Sequence, residues 1–209
     1  MVQKERKPRG RPPAYVPEVA LARATKAFWE SGFAATSLDD LAAATGMNRP
    51  SLYGAFGDKH ALYLRALAAY WDAGRSGMAD ALAPDRPLRE GLRRVYSIAL
   101  DLYFPLNGQP RGCFLIGTAT TEAMRDADVR ATLAEALREI DAAFEARLLL
   151  AKERGELTGA ADPWLLAMLA AATLHTLALR SRAGASRADL EKVADGAVAF
   201  ICAAGLAAS

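Results

Sequence analysis

The side chains between Thr36 and Lys59 are the most chemically pointed in this chain, and their chemistry is recognition rather than catalysis. Asn48, Arg49, Ser51 and Tyr53 follow Gly46 at spacings that place them along one short helical segment. An amide, a guanidinium and two hydroxyls make a polar face suited to base edges in a major groove. Gly54 and Ala55 on the same segment are small, so the backbone can come close and a thymine methyl can be read by contact. Nothing comparable points to a reaction. The histidines are His60 and His175, and there is no Ser-His-Asp order, phosphate loop or metal-ligand spacing. The adjacent acids Asp39 and Asp40 fit a helix start, facing the positive end of the dipole. No enzyme, cofactor or metal site is expected.

The elements that must position this face are helices. Thr36-Ser37 can cap a helix that ends at Thr45-Gly46, and Asn48 can cap a second that tolerates Pro50 in its first turn. Gly46 allows the sharp turn between them, and Leu38, Leu41, Ala42, Leu52 and Phe56 supply the internal core of the pair. The pattern is a helix-turn-helix, with an ordinary helical hairpin as the competing reading. Elsewhere strand signals are nearly absent, and Pro and Gly cut an Ala-, Leu-, Glu- and Arg-rich chain into helices. The expected helices are Pro17 to Ser31, Ser37 to Thr45, Asn48 to Phe56, Lys59 to Leu82, Pro87 to Leu106, Cys113 to Arg125, Asp128 to Arg154, Asp162 to Arg182, and Ser186 or Arg187 to Ala204. The fold class is all-α with nine helices.

The 209 residues suit one domain or two that share a core, long enough to need no disulfide. Cys113 and Cys202 are too few for a disulfide framework. The formal net charge of +2 hides an asymmetry: Met1 to Arg11 carries five basic residues against Glu5, net +4, and the remainder is net −2. A basic arm on a near-neutral body suggests a polyanion, with a solvated tail as the alternative. Within it Arg9-Gly10-Arg11-Pro12 resembles the AT-hook core, in which Arg9 and Arg11 would enter a narrow A·T minor groove. The charged, Pro/Gly-rich start does not read as a secretory signal. Pro163 to Leu179, the longest uncharged stretch of the C-terminal half, is short for a membrane span of about 20 residues and carries Thr173, His175 and Thr176. A cytoplasmic protein with no membrane partner is the default.

The run from Thr36-Ser37-Leu38-Asp39-Asp40 through Thr45-Gly46-Met47-Asn48-Arg49-Pro50-Ser51-Leu52-Tyr53 to Phe56-Gly57-Asp58-Lys59, with Phe28-Trp29-Glu30-Ser31-Gly32-Phe33 upstream, resembles the TetR/AcrR family of bacterial repressors. The resemblance covers Val19 to Leu64. Pro50 and Gly54 depart from residues common in that family's recognition helix. It implies a TetR-like fold with a flexible arm (1–14), a three-helix DNA-binding domain (15–60) and an effector-binding and dimerisation domain (61–209). By the same resemblance, Thr36 and Ser37 would bind a phosphate at a helix start, Tyr53 would donate to a phosphate, and Lys59 would pair with another. Arg49 would read a base, with guanine O6/N7 the favoured partner, beside Asn48 and Ser51. The implied function is a repressor that binds a near-palindromic double-stranded operator as a homodimer and is released by a small-molecule effector. A helical apolar-ligand or interaction module that ignores DNA is the alternative.

Two further expectations concern the C-terminal half. The nearly all-round apolar Pro163 to Leu179 and the last helix, with Leu190, Val193, Ala197, Phe200 and Ile201, would form a four-helix interface with their symmetry mates. Candidates for effector contact are Trp71, Tyr103, Cys113, Phe114, Phe144, Met168 and His175, with Tyr96, Phe104 and Met124 also considered; for each, plain core packing is the competing reading. Cys113 follows Arg111-Gly112 at an expected helix start, where the dipole and Arg111 would favour the thiolate. An inert buried thiol is the other reading of that residue.

Overall fold

Proline, glycine and short polar side chains punctuate the chain where local chemistry requires. The computed structural model describes residues 15–106, 109–157 and 160–203, and these form nine helices without a strand. Residues 1–14, with Arg9 and Arg11, lie outside the described residues.

Helix α1 spans Pro17–Ala35 and bends at Gly32, so the expected stop is a kink followed by one more turn. Helices α2 (Leu38–Thr45) and α3 (Arg49–Phe56) follow, then the long α4 (Lys59–Ala81) and α5 (Leu88–Tyr103). Helix α5 ends short of Leu106 because Phe104 leaves the helical region just before Pro105, as proline disfavours helix in the residue ahead of it. The expected helix at Cys113 to Arg125 is shorter and irregular. This α6 opens with a π-type turn, Leu115–Ala119, and closes with Thr120–Glu122. Helices α7 (Ala127–Glu153), α8 (Pro163–Arg182) and α9 (Arg187–Ala203) complete the chain. Asp58, Asp126 and Asp162 cap α4, α7 and α8 through their carboxylates.

Two apolar clusters hold the helices together. The N-terminal one joins Phe28, Leu41, Leu52 and Phe56 to Leu62, Tyr63 and Leu67 of α4, so it continues past residue 60, and it also takes in Phe114, Leu115 and Val129. The second gathers α5, α7, α8 and α9 around Tyr96, Leu100, Phe144, Leu148, Leu177 and Val198. Each fully buried leucine or phenylalanine contributes about 1.5–3 kcal/mol. Helix α4 enters both clusters, and the stretch at Gly112 to Ala119 bolts the two together. Trp29 Nε1 of α1 donates to Gly112 O at 3.1 Å, and the Tyr63 and Thr118 hydroxyls share a 2.8 Å hydrogen bond.

The uncharged stretch judged short for a membrane lies in α8, whose 20 residues are long and apolar enough to cross one. Here α8 packs against α7, α9 and α5 instead.

Candidate nucleic-acid interface and ligand cavity

Helices α2 and α3 are set by caps at both joints. Ser37 and Asp40 form a reciprocal capping box: Asp40 N donates to Ser37 Oγ at 3.1 Å, and Ser37 N to Asp40 Oδ2 at 2.8 Å. The Ser37 hydroxyl also donates to that carboxylate, at 2.7 Å. These bonds hold the Asp40 carboxyl below its usual range. Gly46 closes α2 in the left-handed conformation at φ 71°, which a side chain would resist. Asn48 Oδ1 then accepts Ser51 N at 2.8 Å and starts α3, leaving the Asn48 amide NH2 free to donate outward. The far end of α3 is braced by Arg65, which donates from Nη1 to Ala55 O at 3.2 Å.

This frame turns Leu52 and Phe56 inward and the polar residues outward. Tyr53 is 47 % exposed, and the Arg49 side chain is 54 % exposed. Asn48 is exposed, Ser51 half-buried, and a side chain at Gly54 would meet open space, so bare backbone faces out there. At the other edge, Lys59 opens α4 with its ammonium 4.4 Å above the Phe33 ring. The chain thus brings Asn48, Arg49, Ser51 and Tyr53 onto one short helix, with Ser37 and Lys59 at neighbouring helix starts.

One expectation is corrected here. Thr36 is buried, and its hydroxyl donates back to Gly32 O at 2.6 Å, in the last turn of α1. That hydroxyl does not face a phosphate. Arg49 forms a two-pronged ion pair with Asp39 on α2.

A concavity opens between α4, α5, α6, α7 and α8. Of the expected effector residues, Trp71, Tyr103 and Cys113 line it. Phe114 and Phe144 do not, being wholly buried in the two clusters, and Met168 and His175 lie outside the wall. The remaining lining includes Tyr70, Met78, Ile98, Leu102, Ile140 and Leu174, which sequence reasoning missed. One signal was available. Gly74 and Gly77 sit in the middle of a 23-residue helix, where each costs about 1 kcal/mol against alanine, and both line the cavity.

The wall carries no charged side chain. At its α4–α7 edge, Trp71 Nε1 donates to the Glu139 carboxylate, which Arg75 also engages. The Tyr70 hydroxyl donates to Cys113 Sγ at 3.3 Å. Burial raises the Cys113 thiol above its ordinary pKa and outweighs donation from Ile116 N–H and Tyr70, which fits the inert buried thiol and not the thiolate. Arg111 cannot help, because its guanidinium lies 3.9 Å over the Trp29 ring and donates to Leu102 O. Gly112, at φ 63°, lets this segment reach α8: a Cβ there would sit 2.4 Å from Ala178 O.

His175 faces inward toward α7. Its Nε2 is buried without a hydrogen-bond partner among the described residues. Burial lowers the His175 pKa, with Asp141 pulling weakly the other way.

The outer faces of α8 and α9 leave large apolar side chains in the open: Trp164, Leu165, Leu169 and Leu179 on one, Val193 and Phe200 on the other.

Comparison with known proteins agrees with this geometry. Residues 20–66 match the model of bacterial regulatory proteins of the tetR family, and residues 90–197 match the tetracyclin repressor-like C-terminal domain. The HTH-type transcriptional repressor ComR of Escherichia coli (strain K12) is 31 % identical over 189 residues, which span 90 % of each chain. The repressor BdcR of the same organism is 36 % identical over 116 residues, 56 % of this chain and 58 % of BdcR. Among solved structures, a cysteine mutant of the TetR family regulator CifR, complexed with a 26-bp double-strand operator DNA, superposes with a TM-score of 0.78 at 30 % identity, covering 91 % of this chain and 98 % of that one. With an outward-facing helix-turn-helix at one end and an all-helical body at the other, the chain belongs to the TetR family of transcriptional regulators, a family of regulators and not of enzymes.

Proposed function

We propose that the protein is a repressor that binds a near-palindromic operator as a homodimer in the cytoplasm and leaves it when a small molecule enters the cavity. The observation that carries this reading is the outward stance of Arg49 and Tyr53 on a short helix that buries Leu52 and Phe56 on its other side. Arg49 is assigned to base reading, with Asn48 and Ser51 beside it. Tyr53 and Lys59 are assigned to phosphates, the Ser37 N–H and hydroxyl being engaged by Asp40, and Arg9 and Arg11 to an adjacent minor groove.

Dimerisation is supported by the apolar residues on α8 and α9, which a monomer would leave against water. A twofold pair places two recognition helices about 34–36 Å apart, one turn of DNA. The CifR complex supports the operator reading, since that relative holds double-strand DNA. An uncharged wall fits an uncharged, mainly apolar effector, because a buried ion there would lack a counter-charge. To release DNA, that molecule must bind the DNA-incompetent arrangement more tightly than the competent one. Helix α4 is the lever, since it starts at Lys59 beside the recognition helix and lines the cavity farther along.

The test is selection of genomic fragments by the purified protein, followed by binding titrations at two salt concentrations. A shared near-palindromic site and a steep salt slope are expected. Salt-insensitive or absent binding would favour an apolar-ligand module instead.

A further inference from the structure

The ion pair between Arg49 and Asp39 divides the guanidinium in a particular way. Arg49 Nε donates to Asp39 Oδ1 at 2.9 Å, and Nη2 donates to Oδ2 at 2.6 Å. Those bonds use the side edge of the group. Three N–H bonds remain, two on Nη1 and one on Nη2. Nη1 and Nη2 together form the end-on fork, whose spacing matches guanine O6 and N7. Asp39 therefore occupies the edge that guanine does not need and leaves open the one that it does.

Beyond its charge in the first turn of α2, Asp39 has no hydrogen-bonding duty that competes with Arg49. The capping box of α2 is closed by Ser37 and Asp40, and Asp39 makes no other hydrogen bond among the described residues. Its side chain is 73 % exposed, on the same surface as Arg49. An exposed ion pair contributes little to folding, so stability is a weak explanation for a two-pronged contact across the turn. A carboxylate at this surface also repels the phosphates of any duplex that offers Arg49 no guanine in return.

Resting on the assignment of Arg49 to base reading, we propose that Asp39 is a specificity-determining positioning residue, which buttresses the Arg49 guanidinium end-on for guanine and penalises unrelated DNA.

The test uses the full-length protein. Duplexes randomised over about two turns of B-DNA are selected with the wild-type chain, which fixes a consensus site. Affinities of wild type, Asp39→Asn, Asp39→Ala, Arg49→Ala and the double variant Asp39→Asn/Arg49→Ala are then measured on the consensus duplex, on the same duplex with each consensus guanine replaced in turn, and on a scrambled duplex. Thermal melts are run alongside. At one guanine per half-site, Arg49→Ala should abolish the preference, and Asp39→Asn and Asp39→Ala should reduce it by about 5- to 10-fold. Both Asp39 variants should bind the scrambled duplex at least as tightly as wild type, with melting little changed. The double variant should discriminate no worse than Arg49→Ala alone, since the buttress acts through the arginine. If Arg49→Ala abolishes the preference while both Asp39 variants keep it intact, the buttress is refuted and base reading by Arg49 stands. If Arg49→Ala also leaves the preference intact, base reading by Arg49 falls, and the buttress with it.

Discussion

The recognition unit and the cavity are built on opposite plans. Helices α2 and α3 are contiguous in sequence, and each of their N-terminal caps is made within three residues: Ser37 to Asp40, Asn48 to Ser51. The cavity draws its wall from five helices between Tyr70 and Leu174. A local device can be read from spacing alone, because the chain itself fixes the geometry. A distributed wall cannot, because which face of each helix turns inward depends on partners a hundred residues away. This is why the outward polar face of α3 was legible, while four of the seven expected effector residues, Phe114, Phe144, Met168 and His175, lie outside the wall.

The sharpest way to test the contrast is with glycine, which each region uses differently. At Gly112 the backbone is left-handed and a Cβ would fall 2.4 Å from Ala178 O, a backbone atom that cannot swing aside. Gly112→Ala should destabilise the fold by at least about 3 kcal/mol, from strain and overpacking together. Gly46 is also left-handed, yet the nearest atom to its Cβ is the flexible Arg23 Nη1 at 3.9 Å. Gly46→Ala should cost only about 1–2 kcal/mol. Denaturant melts of the pair check the ordering; equal losses would mean the segment before Cys113 is not clamped on α8.

Next in size are the contacts assigned to DNA. Arg49→Ala should cost about 1–3 kcal/mol on the operator and relax choice at one base pair, whereas Lys59→Ala should weaken all sequences alike and reduce the salt slope by about one. Binding isotherms over a range of salt separate the two. Silence from both would break the comparison at its stronger side.

Asn48 allows folding and recognition to be separated within one residue. Its Oδ1 caps α3 while its NH2 is free, so Asn48→Ala should lose about 1 kcal/mol of stability. Asn48→Asp keeps the cap but replaces the donor with a negative charge. That variant should melt like wild type and bind DNA less well, measured by calorimetry and anisotropy side by side.

How far sequence reasoning reached follows the same division. Ser37, Asn48, Asp58 and Asp162 were legible as helix starts because a cap is a local contract between a side chain and the next turn. Thr36 looked like another such hydroxyl, but it is buried and donates back to Gly32 O, at the bend of α1. For Cys113 the sequence left two readings, activated by nearby Arg111 or inert and buried; the fold sends Arg111 onto Trp29 and surrounds the thiol with apolar wall, which selects the second. In both cases the deciding partner came from another helix or an unseen bend.

The smallest expected effect concerns His175, whose environment is wholly tertiary. Burial is the larger influence and lowers its pKa below the ordinary 6.5, while Asp141 opposes it. The folded chain thus holds His175 neutral in a range where the unfolded chain protonates it. Stability from this residue is present above the unfolded value and is lost as pH falls from about 6.5 toward the folded value, because the unfolded state binds more protons there. Asp141 works in the opposite sense: burial raises its carboxyl above 3.8, so its own contribution is present at low pH and lost as pH rises through the raised value. A His175→Gln variant should therefore lose part of the decline in melting temperature just below pH 6.5 and leave the behaviour near pH 4 unchanged. Melting curves of wild type and variant across that range decide it: if the two decline in parallel below 6.5, His175 is solvated and is not the inward, unpartnered group described here.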